Sequence, residues 1–341
     1  MSFKYKCWGP RGSLPSPSLA GSAENPEFLT WGYGGNTSCY HLQAGPFSVI
    51  MDMGSGIKNL GNSMFKRGIA KDREHIVLIS HYHWDHLQGG PFFGPFFMPT
   101  NKFHFHGFAP AGKESDVPFN DTVKHLLAEQ QVSPHFPIAH GSMPSKKEYH
   151  THQRQTSESF WYYIDEAGKL HFQAEYMEGV EDKGTLPATA KADPTRWIKI
   201  TTIPLAHPDG CLGYLVEYMG DALLYATDVE PLRHPNLAIC KAVTECKAVN
   251  GVKIVVLDGQ YTEKKLATVT QTYGHGTPES CIDQAFACNL PEDAILLIHH
   301  HDPDHDDNTL HAMEVAAVAY AQKIGLKCRI QFAREGTVWE F

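Results

Sequence analysis

Paired cysteines, long apolar runs and positive charge are all scarce in this 341-residue chain. None of its eight cysteines falls in a Cys-x-x-Cys pair. That argues against a zinc ribbon or a dithiol motif and for reduced, mostly buried thiols. No apolar run is long enough to cross a bilayer, so no membrane partner is expected. The opening Met1-Ser2-Phe3-Lys4-Tyr5-Lys6-Cys7 has no apolar stretch of a secretory signal, and a cytoplasmic location is the expectation. Lys and Arg number 29 against 38 Asp and Glu, a formal net charge of −9. With no Lys/Arg-rich arm, nucleic acid is an unfavoured partner and a small-molecule substrate the favoured one. At 42% hydrophobic the chain can bury a large core, and one domain spanning 1–341 is expected.

Histidine, by contrast, is abundant at 21 residues, and its placement is not random. The segment Ser80-His81-Tyr82-His83-Trp84-Asp85-His86 packs three imidazoles and a carboxylate directly after the apolar run His75-Ile76-Val77-Leu78-Ile79, which reads as a buried strand. His81 and His83, two apart, project to one side while the chain stays extended. Imidazole and carboxylate are the ligands a borderline divalent cation such as zinc prefers. Tyr82 and Trp84 are left as packing residues by default.

The first ninety residues read as strands broken by glycine turns, with a helix over 57–67 after the strand candidate Phe47–Met51 and the turn Asp52-Met53-Gly54-Ser55-Gly56. From 91 to 196 the pattern loosens into insertions containing a short helix over 121–131 and one hairpin, 160–164 with 170–174. Such segments cover sites or make subunit contacts, which leaves a homodimer open. The aromatic cluster Phe92-Phe93-Gly94-Pro95-Phe96-Phe97 reads equally as pocket wall or as core. Strands are expected again at 197–203, 213–218, 222–226, 252–257 and 294–298, and helices at 278–288 and 310–323. The cadence implies an α/β fold, a four-layer αββα sandwich with an inserted loop and hairpin region, rather than a doubly wound sheet.

Three later apolar runs end in further ligand types: His207 after Ile203–Ala206, Asp228 after Leu223–Thr227, and His299-His300-His301 after Ala294–Ile298. This order of motifs resembles the metallo-β-lactamase superfamily of binuclear metallohydrolases, from Gly9 to the C-terminus. More narrowly, Gly274-His275-Gly276-Thr277, opening the helix at Pro278, is similar to the Gly-His-Ser-Thr motif of the phosphodiesterase-like branch that includes the tRNA 3′-end-processing ribonuclease. The chain departs from that motif at Gly276. Asp258 sits where that branch places an acidic residue supporting the helix histidine.

The resemblance implies two divalent metal ions, zinc first, with manganese or iron also accepted. His81, His83 and His207 would hold one; Asp85, His86 and His300 the other; Asp228 would bridge them. His300 is chosen over His299 because relatives carry the following Asp302-Pro303 dipeptide and because strand alternation turns His299 and His301 to the other face. Asp85 would also orient the attacking hydroxide, and His275, held by Asp258, would be a general acid or a donor to the phosphoryl group. The reading is a metal-dependent hydrolase, a phosphodiesterase for a nucleotide or other small phosphodiester. A lactonase or thioesterase, a non-catalytic metal sensor and a di-iron redox protein are the alternatives. The acidic run Asp302, His305, Asp306 and Asp307 reads as a solvated loop, or as support for a ligand.

Overall fold

The computed structural model describes residues 3–16, 32–111, 117–174, 186–230, 235–270 and 273–341. Parts of the 91–196 stretch, residues 112–116 and 175–185, lie outside them. Fifteen strands among the described residues form two sheets. The first runs in the order β15-β1-β2-β3-β4-β5-β6, built from β1 (Phe3–Gly9), β2 (Cys39–Ala44), β3 (Phe47–Met51), β4 (Glu74–Leu78), β5 (Lys102–Phe108), β6 (Lys146–His152) and β15 (Val338–Glu340). The second runs β14-β13-β12-β11-β10-β9-β7-β8, from β7 (Ser159–Ile164), β8 (Leu170–Ala174), β9 (Trp197–Leu205), β10 (Cys211–Tyr218), β11 (Asp221–Ala226), β12 (Val252–Asp258), β13 (Ile295–His299) and β14 (Arg329–Phe332). The helices are α1 (Gly56–Lys66), α2 (Trp84–Leu87), α3 (Thr122–Glu129), α4 (Ala188–Lys191), α5 (Leu237–Glu245), α6 (Glu263–Thr268), α7 (Pro278–Ala287) and α8 (Asp307–Ile324).

Alternation along each strand sends one set of side chains to each face, and three apolar layers result. Between the sheets, Tyr5, Leu42, Val49 and Leu78 meet Ile198, Tyr214, Val216, Val256 and Leu297. Outside the first sheet, Ile57, Leu60 and Met64 of α1 and Val123 and Leu127 of α3 cover Ile50, Val77, Phe103 and Phe105. Outside the second, Ile239, Ile282, Ala285, Leu310 and Ala317 of α5, α7 and α8 cover Leu224, Val255, Leu257 and Leu296. The expected four-layer αββα sandwich is therefore the architecture observed. Phe93 and Phe96 are buried against Phe103, which makes this part of the aromatic cluster core, while Phe92 is exposed against Phe136.

The parallel portions place the site. β3 to β6 run parallel to one another in the first sheet, and β11 to β14 do so in the second. Loops after parallel strands all emerge on one edge, where ligands bind in open α/β sheets. Four strands escaped the sequence reading: the short β14 and β15 near the C-terminal end, and β5 and β6. β5 (KFHFHGF) and β6 (KKEYHTH) complete the first sheet within the stretch read as insertion, their inward positions held by histidine rather than by aliphatic residues. The hairpin of β7 and β8 lies where it was expected and pairs with β9 at the end of the second sheet.

Candidate metal centre

At the carboxyl ends of β4, β9, β11 and β13, the predicted side chains converge. The ligand atoms of His81, His83, His207 and Asp228 form one group within 4.8 Å of each other, and those of Asp85, His86 and His300 another. Asp228 faces both. Its Oδ2 lies 3.4 Å from His81 Nε2 and 3.8 Å from His207 Nε2; its Oδ1 lies 3.3 Å from His86 Nε2 and 3.4 Å from His300 Nε2. His300 Nε2 is also 3.1 Å from Asp85 Oδ2. His299 points away, its ring packed between Tyr40 and Tyr225, and His301 Nε2 donates to the Ala333 carbonyl at 2.8 Å. The separation comes from a left-handed turn at His300, φ +63°, as the chain leaves β13.

The donor chemistry fits divalent cations. His86 Nδ1 donates to Asp52 Oδ2 at 2.8 Å, His207 Nδ1 to the Gly274 carbonyl at 2.8 Å, and His300 Nδ1 to Gln260 Oε1 at 3.2 Å. In their neutral forms all three rings then present bare Nε2 lone pairs to the cluster. Two of those lone pairs, on His86 and His300, lie 3.2 Å apart, and His81 Nε2 is buried with no hydrogen bond. Nitrogens bound at 2.0–2.1 Å to one tetrahedral zinc stand about 3.3 Å apart. Such an arrangement is repulsive without a positive charge among the donors and natural around one.

Electrostatics differs between the two groups. Against their burial, Asp228 and Asp85 raise His86 well above its ordinary value and His300 to about 9. These two rings therefore hold protons that a cation would displace, whereas the rings of the first group are held neutral. Burial, reinforced by His86, drives the His81 imidazole well below its ordinary value, and burial lowers His83 as well and His207 to about 4. Burial opposes ionisation of Asp228, but His300, His86 and His81 outweigh it and hold its carboxyl well below the usual carboxylate range. Asp85 is held down in the same way by His86 and His300 against its own burial. Neutral imidazoles and ionised carboxylates are the forms that ligate.

Strain concentrates here. Ser13, Asp52, Asp228 and His300 all have positive φ without being glycine, a conformation that costs of order 1–3 kcal/mol each and persists only where surroundings enforce it. Gly274 shows why one turn needs glycine: φ is +84°, and a Cβ would lie 2.4 Å from His207 Nδ1. At Gly276, a Cβ would approach the Asp258 carbonyl oxygen to 2.6 Å, so the departure from the family motif accompanies a close backbone contact.

Sequence reasoning missed Asp52, Ser13, Gln260 and Arg11. Asp52 Oδ2 accepts from Ser80 Oγ, His86 Nδ1 and Tyr225 Oη, while Oδ1 accepts from Ser80 N. The same rule that found His207 and Asp228, a polar residue at a strand end, was available for it. Ser13 N donates to Asp85 Oδ2 at 2.7 Å, and Gln260 Nε2 donates to Ser13 Oγ at 2.9 Å. The fully buried Arg11 donates to the carbonyls of Gly34, Asp302 and His305, bracing the turn that follows His300. In the acidic run, Asp306 caps α8 through Thr309 N, Asp307 accepts from Gly32 and Tyr33, and Asp302 pairs with Lys265.

Beside the cluster opens a cleft of about 450 Å³, lined by Ser13, Tyr82, His83, Trp84, Asp85, Asp228 and His275. His275 Nδ1 lies 2.8 Å from Asp258 Oδ2, and its ring stacks 4.7 Å from that of His300. Tyr82 is a packing residue as expected, its hydroxyl donating to the Phe108 carbonyl at 2.7 Å. Trp84 is not, since it is 80% exposed at the cleft.

No family model and no curated protein matches the sequence. Solved structures do match. The metallo-β-lactamase fold protein YhfI of Bacillus subtilis aligns over 100% of this chain and 99% of its own, with a TM-score of 0.55 and 14% identity. This chain has the metallo-β-lactamase fold. Unliganded yeast PDE1 aligns over 99% of both chains (TM-score 0.58, 13% identity), and the short form of human tRNase Z over 98% of both (0.53, 13%). Among the described residues of this metallo-β-lactamase fold, no helix is long and apolar enough to cross a membrane.

Proposed function

We propose that this chain is a metal-dependent phosphodiesterase whose substrate is a nucleotide or another small phosphodiester. The observation that carries the reading is the Asp258–His275 pair at the cleft. A carboxylate only accepts, so Asp258 keeps the His275 proton on Nδ1 and leaves Nε2 as the atom available for proton exchange. That arrangement suits a group that donates to a phosphoryl oxygen or protonates a leaving oxygen. His81, His83, His207 and Asp228 would hold one cation, and Asp85, His86, His300 and Asp228 a second. Zinc is the first choice for such a donor set, with manganese or iron accepted by the same ligands. Two divalent cations, when bound, supply Lewis-acid charge for the phosphoryl oxygens and make water a stronger acid. Asp85, fixed by Ser13 N, orients the attacking water; Asp52 and Gln260 fix the tautomers of His86 and His300.

Two features favour a small nucleotide. Trp84 offers an exposed aromatic face at the cleft, on which a base can stack. The net charge of −9 disfavours gripping a long polyanion. The fold alone does not set the substrate, but human tRNase Z and yeast PDE1 share it, in keeping with phosphodiester chemistry. The test is turnover of bis(p-nitrophenyl) phosphate and a panel of cyclic nucleotides by the zinc-loaded protein. Phosphodiester cleavage abolished by chelation is expected; inactivity on that panel with cleavage of lactones or thioesters overturns the reading.

A further inference from the structure

The inward face of β5 and β6 carries four histidines, His104, His106, His150 and His152, where a sheet interior ordinarily holds aliphatic side chains. Two of them are fully engaged. His152 Nδ1 meets Glu158 Oε2 at 2.7 Å, His152 Nε2 meets His106 Nδ1 at 2.9 Å, and His106 Nε2 meets Tyr162 Oη at 2.8 Å. The other pair is different. His104, 2% exposed, has Nε2 at 3.1 Å from Glu74 Oε2; with that nitrogen donating, a ring carrying a single proton has its lone pair on Nδ1. That Nδ1 is buried and has no hydrogen bond, yet lies 3.0 Å from Glu148 Oε2. His150 Nε2 is likewise buried without a partner, and burial holds that imidazole neutral. A lone pair set against a carboxylate repels it unless positive charge lies between them.

We propose that His104, Glu148 and His150 form a second cation site, separate from the cleft, for a borderline divalent ion of the zinc, cobalt or nickel class. Their ligand atoms already lie within 4.8 Å of one another. Two imidazoles and one carboxylate make a donor set that leaves a fourth position to water, and Glu148, with its side chain 48% exposed, supplies the entry. Glu74 behind His104 is the carboxylate that fixes a ligating imidazole. An ion there clamps β6, the last strand of its sheet, to β5. Lys102 is the competitor: its Nζ lies 2.8 Å from Glu148 Oε1 and 3.8 Å from Glu74 Oε2, leaving Oε2 of Glu148 to face His104.

The experiment is zinc stoichiometry and affinity of the full chain after equilibrium dialysis against buffered zinc. Glu148→Gln and His150→Ala should each bind one equivalent fewer than the parent, whereas Asp228→Ala should keep that equivalent. Glu148 is half exposed, so its variant tests the site even if His150→Ala folds poorly. Lys102→Met should tighten this equivalent at least about fivefold, since it removes a unit charge close by. Parent stoichiometry in Glu148→Gln, or Lys102→Met binding no tighter than the parent, overturns the proposal; the second result would mean that an imidazolium–carboxylate ion pair occupies the place of the metal.

Discussion

Asp52→Asn isolates one carboxylate oxygen. Asn is nearly the same size, so packing between the sheets is kept and only the hydrogen-bonding character changes. Asp52 Oδ1 accepts from the Ser80 amide at 2.8 Å, and Oδ2 accepts from Ser80 Oγ, His86 Nδ1 and Tyr225 Oη at 2.7, 2.8 and 2.7 Å. An amide has only one acceptor oxygen, so two orientations are open and each carries a penalty. With nitrogen at Oδ1, two N–H donors face each other in a fully buried place, costing about 1–3 kcal/mol. With nitrogen at Oδ2, the hydroxyls of Ser80 and Tyr225 can rotate to accept, but His86 must accept on Nδ1. Its proton then moves to Nε2, the atom that faces His300 and Asp228, and the ring can no longer ligate there. The expected loss is about 10–100-fold in affinity for the cation shared by Asp85, His86 and His300, the size found when such outer partners are changed. That factor corresponds to about 1.4–2.7 kcal/mol, in the same range as the buried clash, so neither orientation relieves the variant. The assay is zinc competition against a chromophoric chelator with a thermal melt in parallel. Parent affinity for both equivalents at unchanged stability would refute the assignment of Asp52 as the group that sets the His86 tautomer.

His275→Ala should retain its cleft metals while phosphodiester turnover falls by about 10²–10⁴-fold; unchanged turnover removes His275 from the chemistry. Trp84→Ala should lower kcat/KM for a cyclic nucleotide by about 5–150-fold, the equivalent of one base stack, and leave a purely aliphatic diester nearly unaffected. Gly274→Ala, at φ +84° and against His207, should depress both Tm and the affinity of the cation held by His81, His83 and His207, read by melting and dialysis. Acid should destabilise the fold through two buried rings remote from the cleft: burial pushes His41 down to about 4 and His75 to about 3. The unfolded chain then takes up protons first, so their contribution is whole above pH 6.5 and shrinks as the pH falls toward those values. Each ring should cost about 2 kcal/mol by pH 5, and His75→Gln should flatten the denaturant-midpoint profile between pH 6.5 and 5.

Elements with strong apolar periodicity were legible from sequence, and so was the meeting of polar side chains at their ends. The helix expected over 57–67 is Gly56–Lys66, and that over 278–288 is Pro278–Ala287. The residues His81, His83, Asp85, His86, His207, Asp228 and His300 converge because each ends or follows an apolar strand, a relation visible along the chain. β5 and β6 were not legible, since histidine and lysine occupy positions where a period-two search looks for aliphatic residues. Trp84 was misread for a related reason. Its type argued for burial, but α2 turns it outward while Asp85 and His86 turn in. Asp52 stands at the end of β3, where the rule that found His207 and Asp228 applied, whereas Gln260 acts through a hydrogen bond to a ring 40 residues away that no local pattern announces.

The buried guanidinium of Arg11 has a consequence for how the molecule comes into being. It ties the turn after β1 to the carbonyls of Asp302 and His305, and β1 itself pairs with β15. The turn that follows His300 is therefore held by contacts 291 and 294 residues apart in sequence. Contacts so distant along the chain form late in folding. A chain ending before β13 would carry His81, His83, His207 and Asp228 but would lack His300, which the second donor set needs. The second donor set is thus a long-range construction, assembled only where side chains 214 residues apart in sequence meet.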